Sequence, residues 1–316
     1  MRRTSTGKRV DLTDRDIALF KLLHRYRYLR SNFLYAFLGG NSETRFKERL
    51  GHLYHDGRYI NRPEQQWQFA NCRYMPVVYE LDDAGERVRR DNGLIRNQSP
   101  LLSKGRTGAY RQFAHQLMIC ECLASIELGV AQQSGLRFIS WQEIIARGPQ
   151  TTGIAGNPFE FSASISRACR LTGRVLSADI KLVPDGLFGL EYENGEDKSY
   201  RFFALEVDRN TMPIRRSGLD QTSYLRKILG YQQIIERRSY KSCLGIPNLF
   251  VLTVTTNEIH MANIMALVQG LNSGRGSKLF LFQSTNRSAS PADLLNVPWR
   301  RAGHAEFFLN RVGQVL

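Results

Sequence analysis

Two short segments that bring acids to the ends of apolar runs constrain this chain more than any other feature. Val183-Pro184-Asp185-Gly186-Leu187 sets a carboxylate behind a proline at the mouth of one apolar run. After a short polar interval, Phe202-Phe203-Ala204-Leu205-Glu206-Val207-Asp208 closes a second run with two more acids. Read as paired strands, the segments bring Asp185 next to Glu206 and Asp208. Three carboxylates at one sheet edge repel each other unless a cation or a basic group sits among them.

The chain has 316 residues, enough for two domains with cores of their own. Its formal charge is +15, with a pI near 9.9. Residues 1–110 carry +9 of that excess and residues 111–316 carry +6. A basic surface attracts polyanions, and with no amphipathic anchor in the sequence the expected partner is nucleic acid, not membrane. No apolar run reaches about 18 residues, so no transmembrane helix is expected. The basic start, Met1 to Arg9, lacks the apolar stretch of a signal peptide. Cys72, Cys120, Cys122, Cys169 and Cys243 are odd in number and scattered, which reads as reduced cytoplasmic thiols without structural zinc. The six histidines show no metal-ligand spacing. No glycine-rich loop ends in Lys-Ser or Lys-Thr, which argues against an ATPase.

Residues 1–90 read as a winged helix-turn-helix behind a basic arm. Thr13 is a good N-cap, with Asp14 and Asp16 in the first turn and Ile17, Phe20, Leu23 and His24 at helical spacing. A second helix covers about Ser31 to Leu38 and stops at Gly39-Gly40. A third begins at Asn41 or Ser42 and turns Phe46, Leu50 and Leu53 inward. Tyr59-Ile60 and Val77 to Leu81 follow as two extended pieces around a polar, aromatic excursion. In this arrangement the third helix enters the major groove and the hairpin touches the backbone or minor groove. Arg45 and Arg49 can reach guanine edges or phosphates, Lys47 suits a phosphate, and His52 lies on the same helix. Arg2, Arg3, Lys8 and Arg9 form an arm suited to the backbone or minor groove.

Residues 91–109 read as a linker and 110–316 as a second, α/β domain. A strong helix runs from Tyr110 to Leu128, carrying Glu121 as a candidate outer acid and His115 on its apolar face. Strands are predicted at Arg137–Trp141, Ile180–Val183, Phe188–Glu191, Phe202–Val207, Leu249–Thr255 and Lys278–Phe282, with helices at Leu219–Arg237 and Asn257–Leu271. Residues 148–174 read as an irregular loop. The order suggests one mixed sheet covered by helices, and for the whole chain an α+β or α/β fold.

The acid-bearing strands resemble the core of the PD-(D/E)XK nuclease superfamily, with one departure: Asp208 stands where the usual lysine would be, two residues after Glu206. The whole order resembles the replication-relaxation family of plasmid and mobile-element proteins. The matching pieces are Leu12-Thr13-Asp14-Arg15-Asp16, Arg49-Leu50 with Leu53 and Gly57, His115-Gln116-Leu117, Pro184-Asp185-Gly186, Leu205 to Arg209 with Thr211, and Lys227 with Tyr231. They cover most of residues 11–270. The resemblance implies a DNA-binding protein of plasmid replication, mobilisation or maintenance, with a second half related to PD-(D/E)XK nucleases.

That likeness defines the candidate site. Asp185 and Glu206, with the Val207 carbonyl, are the candidate Mg²⁺ or Mn²⁺ ligands of an active nuclease. Asp208 cannot stabilise a pentavalent phosphate, so activity requires a displaced cation. Lys227 lies on the following helix with Tyr231 one turn later on the same face; some members of the superfamily carry Gln and Tyr at this spacing, facing the site. Arg209 faces the other side of the strand from Asp208. The opposite reading makes Asp185, Glu206, Asp208 and Lys227 an ion cluster that holds an inactive domain together. Three functions stand at this point. The first is a sequence-specific double-stranded DNA-binding protein of a plasmid or mobile element with a degenerate nuclease-like domain, partnered by a relaxase, replication or mobilisation protein. The others are a Mg²⁺-dependent DNA endonuclease and a homodimeric transcriptional regulator.

Overall fold

Thr13 starts the first helix by exchanging two hydrogen bonds with Asp16. Its hydroxyl accepts from the Asp16 amide, while the Asp16 carboxylate accepts from the Thr13 amide at 2.8 Å. In a computed structural model that describes residues 3–93, 110–149, 157–168, 175–285 and 291–311, this cap opens α1, Asp14–Tyr26. The chain is mixed α+β and divides into two compact units, residues 1–128 and 129–316.

In the first unit α1 buries Leu19, Phe20, Leu23 and Tyr26. A short strand β1, Leu29–Arg30, leads into α2, Ser31–Leu38, which ends at Gly39 with φ of 63°. Ser42 caps α3, Glu43–His55, whose Phe46, Leu50, Leu53 and Tyr54 are buried. Strands β2, Ile60–Asn61, and β3, Val78–Leu81, pair antiparallel, and β1 joins β3 from the other side. Between β2 and β3 the chain makes two 3-10 turns, Glu64–Gln68 and Cys72–Tyr74. Helix α4, Asp83–Asp91, follows.

Helix α5, Tyr110–Ala131, differs from the sequence expectation in its allegiance. Up to Leu128 it counts with the first unit. The reason is packing: Phe113 meets Tyr28 edge-on at 5.1 Å, Tyr110 meets Phe69 at 5.2 Å, and Glu121 binds Arg30 Nε at 2.5 Å. Glu121 thus pairs within the first unit. Most of the expected linker, residues 94–109, lies outside the described residues. By length and composition α5 could cross a membrane, contrary to the expectation that no such segment exists, but 67% of its most apolar window is buried inside the fold.

The second unit is built on a seven-stranded mixed sheet in the order β12-β11-β10-β9-β8-β7-β4. Strand β4, Leu136–Ile139, leads into α6, Trp141–Arg147, which Ser140 and Glu143 open with another capping box. Strands β5, Phe161–Ala168, and β6, Val175–Leu182, pair with each other as a separate two-stranded sheet. Strands β7, Gly186–Asn194, and β8, Asp197–Asp208, form a long hairpin closed by Gly195 and Glu196, with Gly195 at φ of 64°. Then come α7, Tyr224–Glu236, and α8, Ser239–Leu244. Strand β9, Phe250–Thr255, runs parallel to β8. Helix α9, Glu258–Leu271, leads to β10, Phe280–Ser284, parallel to β9. A short α10, Asp293–Asn296, precedes the closing strands β11, Trp299–Arg301, and β12, His304–Phe307.

Several expectations are corrected here. Within the segment expected to be irregular, residues 161–168 are strand β5. The strand expected at 180–183 is the end of β6, outside the main sheet. The β5–β6 pair packs onto α7 because position 230 is glycine: a Cβ there would lie 2.7 Å from Ile180 Cδ1. Helix α7 starts at Tyr224 and not Leu219, because Ser223 caps it by accepting from the Arg226 amide. The β11–β12 pair has no counterpart in the sequence expectation; its strands are three and four residues long and largely polar.

Candidate functional site

Register decides the geometry of the acids. Gly186 on β7 pairs with Leu205 on β8, so Asp185 sits at the strand mouth beside Glu206 and Val207. Asp185 Oδ2 accepts the Val207 amide at 2.9 Å. Glu206 and Asp208, two apart, share one face of β8. Helix α7 brings Lys227 and Tyr231 to that face. Lys227 Nζ donates to one Glu206 oxygen, and the Tyr231 hydroxyl donates to the other at 2.5 Å. Glu206 is 2% exposed.

Asp208 serves a different set of donors. Its Oδ1 accepts from the Thr211 amide at 3.0 Å, the Thr211 hydroxyl at 3.3 Å and the Met212 amide at 3.4 Å, turning the chain at the end of β8. Its Oδ2 lies 2.6 Å from His260 Nε2 on α9, and the Tyr224 ring meets His260 edge-on at 5.6 Å. Neither His260 nor Tyr224 stands out in the sequence. His260 reaches Asp208 only because the β9–α9 crossover returns over the sheet, and no local spacing encodes that.

Burial pushes the Glu206 carboxyl above its ordinary value; the attraction of Lys227 opposes this and the charge of Asp185 adds to it. Burial opposes charge on Lys227, but the attraction of Glu206 and Asp185 outweighs it and holds the ammonium above its ordinary value. Burial, then the Glu206 charge, raises the Tyr231 hydroxyl well above the usual phenol range. Lys227 is thus a cation at neutral pH and the counter-charge that the paired strands demand.

The acids that would hold a divalent ion are engaged by the protein's own donors. Both Glu206 oxygens, both Asp208 oxygens and one Asp185 oxygen are taken by protein donors. Among the described residues no three His, Cys, Asp or Glu side chains converge as ligands.

The basic candidates of the first unit separate into tied and exposed groups. Arg2 lies outside the described residues. Arg3 is tied down: it pairs with Asp82, donates to the Ile60 carbonyl at 3.1 Å and stacks 5.0 Å over Tyr54. Lys8 and Arg9 are exposed, with Arg9 3.2 Å from the equally exposed Asp11. Arg49 is held by Asp16 at 2.5 Å and donates to the Asp11 carbonyl at 2.7 Å. Burial pushes the Asp16 carboxyl up, yet the bonds from Arg49 and Thr13 hold it below its ordinary value. His52 lies 3.4 Å from Asp56. Arg45 is exposed on the first turn of α3, and Lys47 pairs with Glu43 at the surface, 2.8 Å away. Arg15, which the sequence offers only as part of the Leu12–Asp16 motif, lines a cleft of about 450 Å³ at the start of α3 together with Ser42, Arg45 and Arg49.

Residues 20–249, which span most of both units and include Asp185, Glu206, Asp208, Lys227 and Tyr231, match the family described as replication-relaxation. No curated protein and no solved structure matches the chain. With more than half of its length matched, the chain belongs to the replication-relaxation family.

Proposed function

We propose that the protein is a sequence-specific, double-stranded DNA-binding protein of a plasmid or mobile element, acting in the cytoplasm in replication, mobilisation or their control. In this reading α1, α2, α3 and the β1–β3–β2 sheet are a winged helix-turn-helix, and α3 is the recognition helix. The observation that carries it is the division of α3. Phe46, Leu50 and Leu53 anchor the helix, while Arg45 and Lys47 remain at the surface beside a cleft that Arg15 also lines. Arg49, held by Asp16, orients α3 on α1 instead of reading bases. The second unit is a PD-(D/E)XK-like domain whose acids are neutralised internally, so it serves assembly, with a relaxase or replication protein or a second copy of the chain as partner.

The test is a gel shift against fragments of the element that encodes the protein, in excess nonspecific competitor. Arg45→Ala with Lys47→Ala should remove specific binding and flatten its salt dependence, by about one unit of log–log slope for each phosphate no longer neutralised. Arg49→Ala should lower the unfolding midpoint because it strands a buried carboxylate. Unchanged binding in the Arg45/Lys47 variant sinks the assignment of α3. Incubation with supercoiled plasmid and Mn²⁺ should leave the DNA intact; cleavage that disappears in Asp185→Ala and Glu206→Ala would establish the endonuclease instead.

A further inference from the structure

The excursion between β2 and β3 combines two properties that normally oppose each other: it is firmly anchored, and it shows aromatic rings to solvent. The anchor is Gln66, 4% exposed. Its side-chain oxygen accepts the Val78 amide at 2.8 Å, and its side-chain nitrogen donates to the carbonyls of Val78 at 3.1 Å and Pro63 at 3.0 Å. Phe69 is buried against Tyr110 and Phe113, with the Arg30 guanidinium 5.6 Å over its ring. The two 3-10 turns are joined by the bond from the Cys72 amide to the Phe69 carbonyl.

On this base Tyr74 is 89% exposed and Trp67 36%. They are two of the five exposed large apolar side chains among the described residues, and the only aromatic ones among those five. Arg73, next to Tyr74, is exposed as well. A ring that faces water on a rigid support loses little conformational entropy when a flat partner stacks on it. An adjacent guanidinium suits a phosphate. A base with its 3′ or 5′ phosphate presents both features, but only when it is unpaired, because in a duplex its π-face is covered by its neighbours.

We propose that this excursion is a stacking platform for unpaired DNA bases, with Tyr74 and Trp67 as the rings and Arg73 as the backbone contact. The proposal deepens the DNA-binding reading of the first unit and rests on it. It adds that the protein engages strand-separated DNA by a surface other than the exposed face of α3. Base–aromatic stacking tolerates any sequence and is worth about 1–3 kcal/mol per base.

The experiment titrates the full chain with oligothymidylate and, separately, with duplex DNA, following tryptophan emission and anisotropy of labelled DNA. Trp299 is wholly buried and the half-buried Trp141 is replaced by phenylalanine in every protein titrated, so quenching by a bound base reports chiefly on Trp67. Oligothymidylate should quench the emission. Tyr74→Ala should weaken oligothymidylate binding by about 5- to 100-fold, with duplex affinity and circular dichroism unchanged. Tyr74→Phe should retain binding, and Arg73→Ala should reduce the salt dependence. Arg45→Ala with Lys47→Ala should spare oligothymidylate binding while removing duplex binding. If the wild type binds no oligothymidylate, or binds it no better than Tyr74→Ala does, the platform is overturned. If oligothymidylate binds through Tyr74 while duplex binding ignores Arg45 and Lys47, the α3 reading fails and the platform stands.

Discussion

A lysine at position 227 answers the question that an aspartate at 208 raises. The strand lacks a cation at the place where Glu206 needs one, and Lys227 supplies it from α7, one turn before Tyr231. Asp208 is meanwhile withdrawn into a turn cap and a bond with His260. Removing one partner of a buried ion pair leaves a stranded charge, whereas replacing both with apolar groups of similar size is often neutral. Lys227→Ala is therefore expected to destabilise the protein by about 3 kcal/mol. The double replacement Glu206→Leu with Lys227→Leu should recover most of that loss. Urea denaturation of the three proteins checks it; a double variant as unstable as the single one would show that the pair does more than balance charge. The approach of Asp185 to Glu206 is readable in the sequence because strand register depends on short-range pattern, and the Lys227–Tyr231 spacing because helical period does. The tie between Arg49 and Asp16 is not: an arginine on a helix looks the same in sequence whether it reaches a phosphate or a neighbouring helix.

Among the elements, three strands are tied by one carboxylate. Glu191 on β7 accepts from Arg137 on β4 at 2.8 Å and from Lys198 on β8 at 2.8 Å. These two bonds hold its carboxyl down at about 2, against a modest opposing effect of burial. A carboxylate depressed in the folded state contributes stability above its unfolded value of about 4.5 and loses it as pH falls toward 2. Because Arg137 and Lys198 are themselves half-exposed, the contribution is about 2 kcal/mol, below what the full shift would give. Wild type should thus exceed Glu191→Gln by a constant margin above pH 5, and the margin should shrink as pH drops from 4.5 toward 2. Thermal melts across that range test it, and a margin that does not depend on pH refutes it. Elements also set the limit of what sequence reveals. The strands of the central sheet announce themselves as apolar runs, as Phe250–Thr255 does. The β5–β6 hairpin does not, because β6 alternates exposed and half-exposed positions over most of its length and packs its inner face against α7. The packing of α5 with the first unit rests on Phe113, Glu121 and Glu127, whose partners lie 40 or more residues away.

Over the whole molecule, the charge gradient legible in composition has a structural counterpart. Much of the positive excess lies in the unit that carries the exposed Arg45, Lys47 and Arg73, while the acids of the second unit's cluster are internally compensated. The β7–β8 hairpin, closed by two residues, carries a further consequence for the order in which the chain folds. A hairpin of this kind forms from local sequence, whereas β9 joins β8 only after a connection of about forty residues, including α7, has been ordered. Asp185 and Glu206 therefore meet before Lys227 arrives, and for that interval the two carboxylates face each other without a counter-ion. Protonating one of them relieves the repulsion. Refolding should accordingly run faster near pH 5 than near pH 7, and Glu206→Gln should abolish the difference in stopped-flow traces; the same pH dependence in both proteins would contradict this order. In that order of events the lysine that settles the native site is the last of the three charged groups to arrive.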